Sequence, residues 1–437
     1  MNINVIGAGL AGCEAAYYIA ERGVNVTLYD MKPGKFTPAH KNKNFAELVC
    51  SNSLKAKRLE SAAGLLKEEM RILGSLLMKC ADCCEVPAGG ALAVDRDKFA
   101  DEVTKKIKAH PHINIIEKEI TEIPEGDINI IATGPLTSDK FAEKISEMCG
   151  GLLSFFDAAA PIVSAESIDF DSAFFASRYD KGDGDDYINC PMNKEEYEQF
   201  YNELISADRA PVHEFDKASP KVYEGCMPVE VMATRGIDTL RFGPLKPVGL
   251  RDPKTGLRPW AVVQLRKENR EGSLYNLVGF QTNLKFGEQK RIFSMIPALK
   301  NADFMRYGVM HRNTFIDSPR VLNRDLSLKS NKNIFFAGQI VGVEGYMESA
   351  SSGIFSAINS LRRLNNEEKF VLPRETMLGS LISYVTDETV VKFQPMGANF
   401  GILPSIEPHI RDKKERYSAF ANRSIEKLKE NLPYKRV

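Results

Sequence analysis

A glycine-rich segment near the first residue places the strongest constraint on how this chain folds. Residues 7–12 read Gly-Ala-Gly-Leu-Ala-Gly, and they separate the apolar segment Asn2–Ile6 from a helical periodicity over residues 11–22. A second apolar segment, residues 24–29, follows and ends at Asp30. Glycines at this spacing allow a tight turn from strand to helix and close packing of the helix on the strand. The sequence therefore predicts a parallel β-α-β unit at the start of an α/β fold.

The same unit has the features of a dinucleotide-binding site. Gly9 lets the backbone approach a pyrophosphate, and the helix that follows presents unpaired N–H groups to it. Asp30 lies about twenty residues beyond the glycines, where a carboxylate can bind ribose hydroxyls. The alternative is a glycine turn that binds no ligand. Such a turn would not need to be followed by a second strand and an acid, and both are present here in that order. The predicted cofactor contacts are Gly7, Ala8, Gly9, Leu10, Ala11, Gly12 and Asp30.

Two later segments extend this site from the other end of the chain. One apolar strand ends at Gly134 and another at Gly338, and the small-residue run 349–353 then opens a helix that reaches about Leu364. Small residues permit a second close approach of the backbone to a ligand, and the arrangement resembles the FAD-binding site of two-dinucleotide-type flavoproteins. An ordinary, tightly packed corner between strand and helix is the alternative. The additional predicted FAD contacts are Gly134, Gly338, Gln339, Gly345, Tyr346 and Ser349.

The middle of the chain departs from this pattern and predicts an inserted domain. Residues 260–266 and 273–280 alternate as strands around a turn at 269–272, and residues 193–205 have the spacing of an amphipathic helix. We therefore expect a Rossmann-like FAD-binding domain that is interrupted by an α+β domain. The expected parts are residues 1–160 and 301–370 for the FAD-binding domain, 161–300 for the insertion and 371–437 for a C-terminal helical segment.

Composition narrows the class of protein further. The 437 residues contain 58 basic and 58 acidic side chains, so the net charge of zero argues against a simple polyanion-coating protein but allows a local basic face. The first helix carries acidic residues and lacks a basic leader, and no apolar run reaches membrane-spanning length. The expected location is the cytoplasm, where the eight cysteines stay reduced.

Two cysteines lie in segments that can present a thiol to a ligand. Cys50 stands between apolar residues and the small polar run Ser-Asn-Ser, and Cys226 lies in a turn bracketed by Gly225 and Pro228. Either one alone is more often a small buried hydrophobe than a catalytic group. Their interpretation therefore depends on what binds nearby.

Three further cysteines, Cys80, Cys83 and Cys84, form the pattern C-x-x-C-C. Structural zinc takes four ligands, and no second pair of suitable spacing follows, so we expect no metal at this cluster. The six histidines are scattered and give no metal-ligand spacing either.

Six blocks of sequence together resemble one enzyme family, the folate- and FAD-dependent tRNA uracil-5-methyltransferases (the TrmFO family). The blocks run from Gly7 to Gly353 and so cover most of the chain. Asp30 stands where related sequences often carry glutamate, and either carboxylate can bind ribose. The blocks are GAGLAGCEAA, FAELVCSNSL, VPAGGALAVDR, YEGCMPVE, RFGPLKPVGL and GQIVGVEGYMESASSG.

The resemblance implies a reaction and a set of partners. The expected cofactor is FAD, the one-carbon donor is 5,10-methylenetetrahydrofolate, the reductant is NADH or NADPH, and the substrate is the T-loop uridine of tRNA. Cys226 matches the nucleophile that adds to uracil C6 and so makes C5 reactive, and Cys50 matches the cysteine on the flavin side. Reduced flavin is expected to carry the methylene group and the hydride. Arg241 and Lys246 would stabilise the enolate or bind phosphate.

Four other functions stay open at this point. A sister flavoenzyme that modifies the tRNA wobble uridine shares the flavin pattern but is normally much longer. Relatives that apply the same chemistry to ribosomal RNA lack the flavin-side cysteine, which is present here as Cys50. A non-methylating NAD(P)H flavin oxidoreductase requires neither RNA nor Cys226, and a non-catalytic flavin- or RNA-binding module would tolerate the loss of both cysteines.

Overall fold

The structure is a computed structural model that describes residues 2–180, 186–210, 227–269, 271–308, 310–391, 393–408 and 410–433, so Cys226 lies outside the described residues. None of the helices in these ranges combines the length and apolar character needed to cross a bilayer. The strands are β1 (Asn2–Ile6), β2 (Asn25–Asp30), β3 (Ser53–Ala56), β4 (Glu85–Val86), β5 (Ala91–Val94), β6 (Ile113–Glu117), β7 (Ile128–Ile131), β8 (Leu153–Ala158), β9 (Ile162–Ser164), β10 (Phe174–Phe175), β11 (Tyr187–Met192), β12 (Ala261–Lys267), β13 (Leu274–Leu277), β14 (Phe304–Arg306), β15 (Met310–Phe315) and β16 (Ile334–Phe336). The helices are α1 (Leu10–Ala20), α2 (Ala62–Leu73), α3 (Leu76–Cys83), α4 (Arg96–Lys108), α5 (Asp139–Cys149), α6 (Lys194–Ser206), α7 (Val229–Ala233), α8 (Thr239–Phe242), α9 (Phe286–Phe293), α10 (Ser318–Val321), α11 (Tyr346–Leu364), α12 (Met377–Val385) and α13 (Lys413–Glu430).

A parallel sheet in the order β16-β7-β1-β2-β6 forms the centre of the first unit. Every neighbouring pair in it is parallel, and β7 is buried along its whole length, as strands covered on both faces are. The predicted β-α-β unit and the Rossmann-like α/β fold are confirmed. The chain extends the sheet from β1 to one side with β2 and β6 and to the other side with β7 and β16, and ligands bind at the carboxyl ends of strands at such a switch point.

Two glycines let helices α1 and α11 lie against each other and against β1. A Cβ atom on Gly12 would lie 1.8 Å from the carbonyl oxygen of Gly7, and one on Gly353 would lie 2.2 Å from the carbonyl oxygen of Ala11. The small residue at position 353 therefore serves contact between helices rather than approach to a ligand. Helix α11 also begins at Tyr346, three residues before the predicted start at Ser349.

The second unit is built on an antiparallel sheet in the order β10-β11-β12-β13-β9-β14. The predicted hairpin is present as β12 and β13, and the predicted amphipathic helix is α6, whose first turn is closed by a capping box between Asn193 and Glu196. The apolar core of this second unit is separate from the apolar core of the first unit. Strands β8 and β15, which enter and leave this unit, pair with each other.

The C-terminal helices belong to the core of the first unit. Phe420, Ala421 and Leu428 of α13 are buried in the same apolar cluster as the parallel sheet. The carboxylate of Glu69 on α2 accepts hydrogen bonds from the backbone N–H groups of Met377 (2.7 Å) and Leu378 (2.8 Å), which are the first residues of α12. A buried acid thus caps a helix that is distant in sequence.

Glu69 makes stability depend on pH. Burial raises the pKa of its carboxyl to about 7 from an ordinary 4.5, although the hydrogen bonds lower it. The folded chain holds this proton to higher pH than the unfolded chain, so the stability it contributes is complete below pH 4.5 and is lost as pH rises through 7. We expect the unfolding free energy of the wild type, relative to Glu69→Gln, to fall by about 2 to 3 kcal/mol between roughly pH 5 and pH 8. Denaturant titrations of both proteins across that range would contradict this if the difference stayed constant or rose.

Candidate functional site

Two adjacent cavities open at the carboxyl ends of β1 and β7, where the topology predicts a ligand. The smaller, of about 100 Å³, lies around Gly7, Ala8 and Asp30. The larger, of about 400 Å³, extends to Cys50 and Tyr346. Gly9, His40, Glu47, Ala132, Thr133 and Leu136 line both cavities, so together they form one continuous cleft.

The smaller cavity has the geometry of a nucleotide cradle. The Asp30 carboxylate lies at the end of β2 and accepts hydrogen bonds from the backbone N–H of Ala8 (2.7 Å) and of Lys32 (2.8 Å). Helix α1 has no side-chain cap at Gly9, so its first N–H groups stay available to an anion. A Cβ atom on Gly9 would meet no atom within 4 Å, which leaves open space above the helix start. This space, at an uncapped helix start, fits a pyrophosphate.

The larger cavity brings together the two ends of the chain as predicted. Cys50 lies in its wall, together with the segments that follow β7 and β16. Gly12 lines neither cavity, because it is packed beneath Gly7. The predicted residues that line the larger cavity are Gly9, Leu10, Ala11, Gly134, Gly338, Gln339, Gly345, Tyr346 and Ser349.

Tyr346 holds the backbone of the Cys50 loop. Its hydroxyl oxygen accepts hydrogen bonds from the N–H groups of Cys50 (2.7 Å) and Ser51 (3.1 Å), which are nearly 300 residues away in sequence. Burial, and next the nearby Cys50, raise the pKa of the Tyr346 hydroxyl well above its ordinary value. The phenol therefore keeps its proton at neutral pH while its oxygen fixes the loop.

Two arginines of the inserted unit also hold this loop. Arg266 on β12 donates to Ser51 Oγ (2.8 Å) and to Asn52 Oδ1 (3.0 Å). Arg306 on β14 donates to the carbonyl oxygen of Val49 (2.9 Å). The position of Cys50 thus depends on both units. Sequence reasoning missed these arginines, because a buried arginine in a strand has the same local pattern as an exposed one.

A third arginine, Arg96, forms a buried ion pair behind the loop. Its Nη2 lies 2.5 Å from Glu268 Oε1, and the two side chains are only 10% and 5% exposed. Burial raises the pKa of Glu268 despite the opposing charges of Arg96, Arg266 and Arg306. Three guanidinium groups therefore act on the buried carboxylate of Glu268.

A second ion pair lies at the edge of the larger cavity. Lys55 has a left-handed backbone conformation (φ 65°) within the irregular strand β3, and its Nζ lies 2.8 Å from Oε1 of the buried Glu348. The same oxygen accepts a hydrogen bond from the N–H of Ala398 (3.0 Å). A cation and an acid are thus fixed beside Gly345, and no short motif in the sequence indicates this pair.

The remaining sequence candidates lie elsewhere. Cys80 and Cys84 are buried and Cys83 is exposed, and burial raises the pKa of Cys80 to about 12. Across the described ranges, no group of three or more His, Cys, Asp or Glu side chains is arranged to hold a metal ion. Arg241 and Lys246 do not line either cavity.

Cys226 itself is not described, but the chain that follows it is. The N–H of Val229 donates to the carbonyl oxygen of Gln281 (2.7 Å), and Gln281 lines the larger cavity. The segment three residues beyond the predicted nucleophile is therefore anchored to the cavity wall.

The chain is similar to known proteins over nearly its whole length. Residues 2–368 match the family described as glucose inhibited division protein A. Two proteins named methylenetetrahydrofolate--tRNA-(uracil-5-)-methyltransferase TrmFO, from Acetivibrio thermocellus and Fusobacterium nucleatum, are each 59% identical over 429 residues, which cover 98% of this chain and 98% of each relative. Among solved structures, GidA from Aquifex aeolicus has a TM-score of 0.70 and covers 99% of this chain and 74% of its own, at 15% identity. That last likeness shows the fold alone.

Proposed function

The chain belongs to the glucose inhibited division protein A family and, within it, to the TrmFO methyltransferases, and from this we propose that it methylates C5 of a uridine in tRNA with methylenetetrahydrofolate as one-carbon donor. The observation that carries the proposal is the position of Cys50. It lines the same cavity as Gly9 from one end of the chain and Gly338 from the other. A tRNA substrate agrees with the cytoplasmic location that the sequence predicts.

The cleft fits FAD. The open space above Gly9, the uncapped start of α1 and the carboxylate of Asp30 suit the pyrophosphate and ribose of a dinucleotide. The larger cavity, at about 400 Å³, would hold the ring system near Cys50 and Tyr346. FAD bound there would supply the redox chemistry that turns the one-carbon unit into a methyl group, with NADH or NADPH as the proposed reductant.

We assign the nucleophile to Cys226. Its thiolate would form a bond to C6 of uracil and move the C5–C6 electron pair onto the ring as an enolate, which makes C5 reactive. C5 would then bond to the one-carbon unit, the bond from that carbon to its donor nitrogen would break, and a hydride derived from the reductant would bring it to the methyl level. Loss of the C5 proton and of the Cys226 thiolate would restore the C5–C6 double bond. The anchoring of Val229 to Gln281 at the cavity wall supports this assignment.

Cys50 has a different proposed role. Its loop is fixed by the Tyr346 hydroxyl and by Arg266 and Arg306. A thiol held this firmly in the wall of the proposed flavin cavity is suited to protect the ring or to move a proton beside it. It does not need to reach the uracil.

The comparisons favour this function over its rivals. The relatives named as tRNA uracil-5-methyltransferases match 98% of the chain, whereas GidA shares the fold at 15% identity and only 74% of its chain is covered. Cys50 argues for tRNA rather than ribosomal RNA, because the resemblance links its presence to tRNA.

The test is a methylation assay with methylenetetrahydrofolate labelled in the methylene group. Unmodified tRNA should gain label, whereas the same tRNA with cytidine in place of the T-loop uridine, and a ribosomal RNA fragment, should not. We expect Cys226→Ala to lose product completely and Cys50→Ala to lose most of it, while both still bind FAD. Normal turnover by Cys226→Ala would remove it as nucleophile, and label in ribosomal RNA alone would reassign the substrate.

A further inference from the structure

The inserted unit presents one almost fully exposed aromatic ring. Phe242, at the end of α8, is 83% exposed, while its neighbours Leu240 and Leu245 are completely buried. The N–H of Leu245 donates to the carbonyl oxygen of Leu240 (2.9 Å), and the N–H of Val262 donates to that of Leu245 (3.1 Å), so the turn is tied to β12. The backbone that carries the Phe242 ring is therefore fixed while the ring itself stays in solvent. Exposing so much apolar surface is unfavourable for folding, which indicates that the ring serves another purpose.

A second partly exposed aromatic ring, that of Trp260, is in contact with the residue that precedes Phe242. Trp260 is 37% exposed, and the guanidinium carbon of Arg241 lies 3.7 Å from the centre of its ring. Arg241 also donates to the carbonyl oxygen of Trp260 (3.0 Å) and pairs with Asp238 (2.6 Å). Arg241 thus helps to build the face through Nε and Nη1.

The segment that carries Phe242 and Trp260 has an excess of basic residues, although the chain as a whole is neutral. Among residues 234–260, the only acids are Asp238, which pairs with Arg241, and Asp252, which accepts a hydrogen bond from the N–H of Lys254 (2.9 Å). Neither Lys246 nor Arg258 has an ion-pair partner in the part of the chain that the structure describes. The basic side chains of this segment are Arg235, Arg241, Lys246, Arg251, Lys254 and Arg258.

The face lies close to the larger cavity. A Cβ atom on Gly279 would lie 2.6 Å from Cβ of Pro244, two residues after Phe242. Gln281, two residues after Gly279, lines the cavity and is bonded to Val229. One short stretch of chain therefore connects the exposed ring to the wall where the reaction is proposed to occur.

We propose that this face, defined by Phe242, Trp260 and the six basic residues of 234–260, binds unpaired nucleotides of the RNA loop that carries the target uridine. Phe242 stacks on one base, and Lys246 and Arg258 contact backbone phosphates. Single-stranded RNA is recognised by this combination, because every base has a face that stacks on an aromatic ring and the phosphates require cations. The inference rests on the proposed function and adds to it the residues that hold the loop open.

The experiment measures affinity for unmodified tRNA by fluorescence anisotropy at several salt concentrations. We expect Phe242→Ala to weaken binding by about tenfold, and Phe242→Tyr to restore it to within about twofold of the wild type. Affinity falls as the salt concentration rises, and the double variant Lys246→Ala/Arg258→Ala should reduce the magnitude of the slope of log affinity against log salt by about two. Val391→Ala is the matched control, since Val391 is 85% exposed but lies outside this face. Bound FAD and melting temperature show that each variant is folded.

Several outcomes would overturn the inference. Unchanged affinity in Phe242→Ala would do so and would assign the ring to another kind of partner, such as a protein. An equal loss in Phe242→Tyr would exclude stacking. The methylation assay separates this inference from the proposed function. If Phe242→Ala binds tRNA with wild-type affinity and still methylates it, only the RNA-binding role of this face is wrong. If binding depends on Phe242 but the wild type does not methylate tRNA, only the proposed reaction is wrong.

Discussion

Replacing Gly12 with alanine is expected to prevent stable folding of the first unit, whereas replacing Gly9 with alanine is expected to leave the fold intact and to impair FAD binding. On Gly12, a Cβ atom would lie 1.8 Å from the carbonyl oxygen of Gly7, far inside van der Waals contact. Gly7 cannot retreat, because it has a φ of 103° and its own Cβ position is 2.6 Å from the carbonyl oxygen of Ala132. Both obstacles are backbone atoms of residues that directly follow strands of the central sheet.

Gly9 is the matched control, three residues away in the same motif. Its φ of −75° suits alanine, and no atom lies within 4 Å of the added Cβ. The methyl group would instead occupy the space proposed for the pyrophosphate. We expect FAD content and thermal unfolding to separate the two: Gly12→Ala fails to give soluble folded protein, and Gly9→Ala melts as the apoprotein does but binds FAD at least about tenfold more weakly. Full flavin content in Gly9→Ala, or a normal melting point in Gly12→Ala, would contradict this geometry.

The parts of the site that depend on local signals could be predicted from sequence. The turn through Gly7 and Gly9 and the strand that precedes Gly338 are each defined within a dozen residues, by apolar runs and by glycines whose steric role is the same in any context. The parallel sheet then follows from strands that alternate with helices. For this reason the cleft contains residues from both ends of the chain, as expected.

The parts that depend on long-range pairing could not be predicted. Arg266 binds Ser51 across 215 positions, and Arg306 binds Val49 across 257. Nothing in the residues around either arginine specifies its partner. The sequence also predicts the start of α11 too late, at Ser349 rather than at Tyr346. Gly345 (φ 121°) precedes the helix with a backbone conformation that favours glycine and without a capping side chain, so no capping residue in the sequence indicates this start. The Cys50 loop is therefore held by contacts that only the folded chain reveals.

Replacing Glu268 with glutamine is expected to destabilise the chain by about 3 to 5 kcal/mol. The Glu268 carboxylate interacts with Arg96, Arg266 and Arg306, and both Arg96 and Arg266 are buried. Without the carboxylate, buried guanidinium groups would face one another, and burial together with the charge of Arg96 already lowers the pKa of Arg306. The cost arises from charges left buried without a partner rather than from the strength of one ion pair.

The double variant Arg96→Met/Glu268→Gln tests that cause. Methionine fills much of the arginine stem's volume without a charge, so we expect the double variant to recover a substantial part of the stability that Glu268→Gln loses. Denaturant unfolding of the wild type, both single variants and the double variant gives the coupling energy. Additive losses would mean that Arg96 and Glu268 are not coupled, which would contradict this cause. Because Arg266 and Arg306 also hold the Cys50 loop, Glu268→Gln should in addition speed hydrogen exchange at the N–H groups of Cys50 and Ser51, whereas a purely local effect at Arg96 would leave that exchange unchanged.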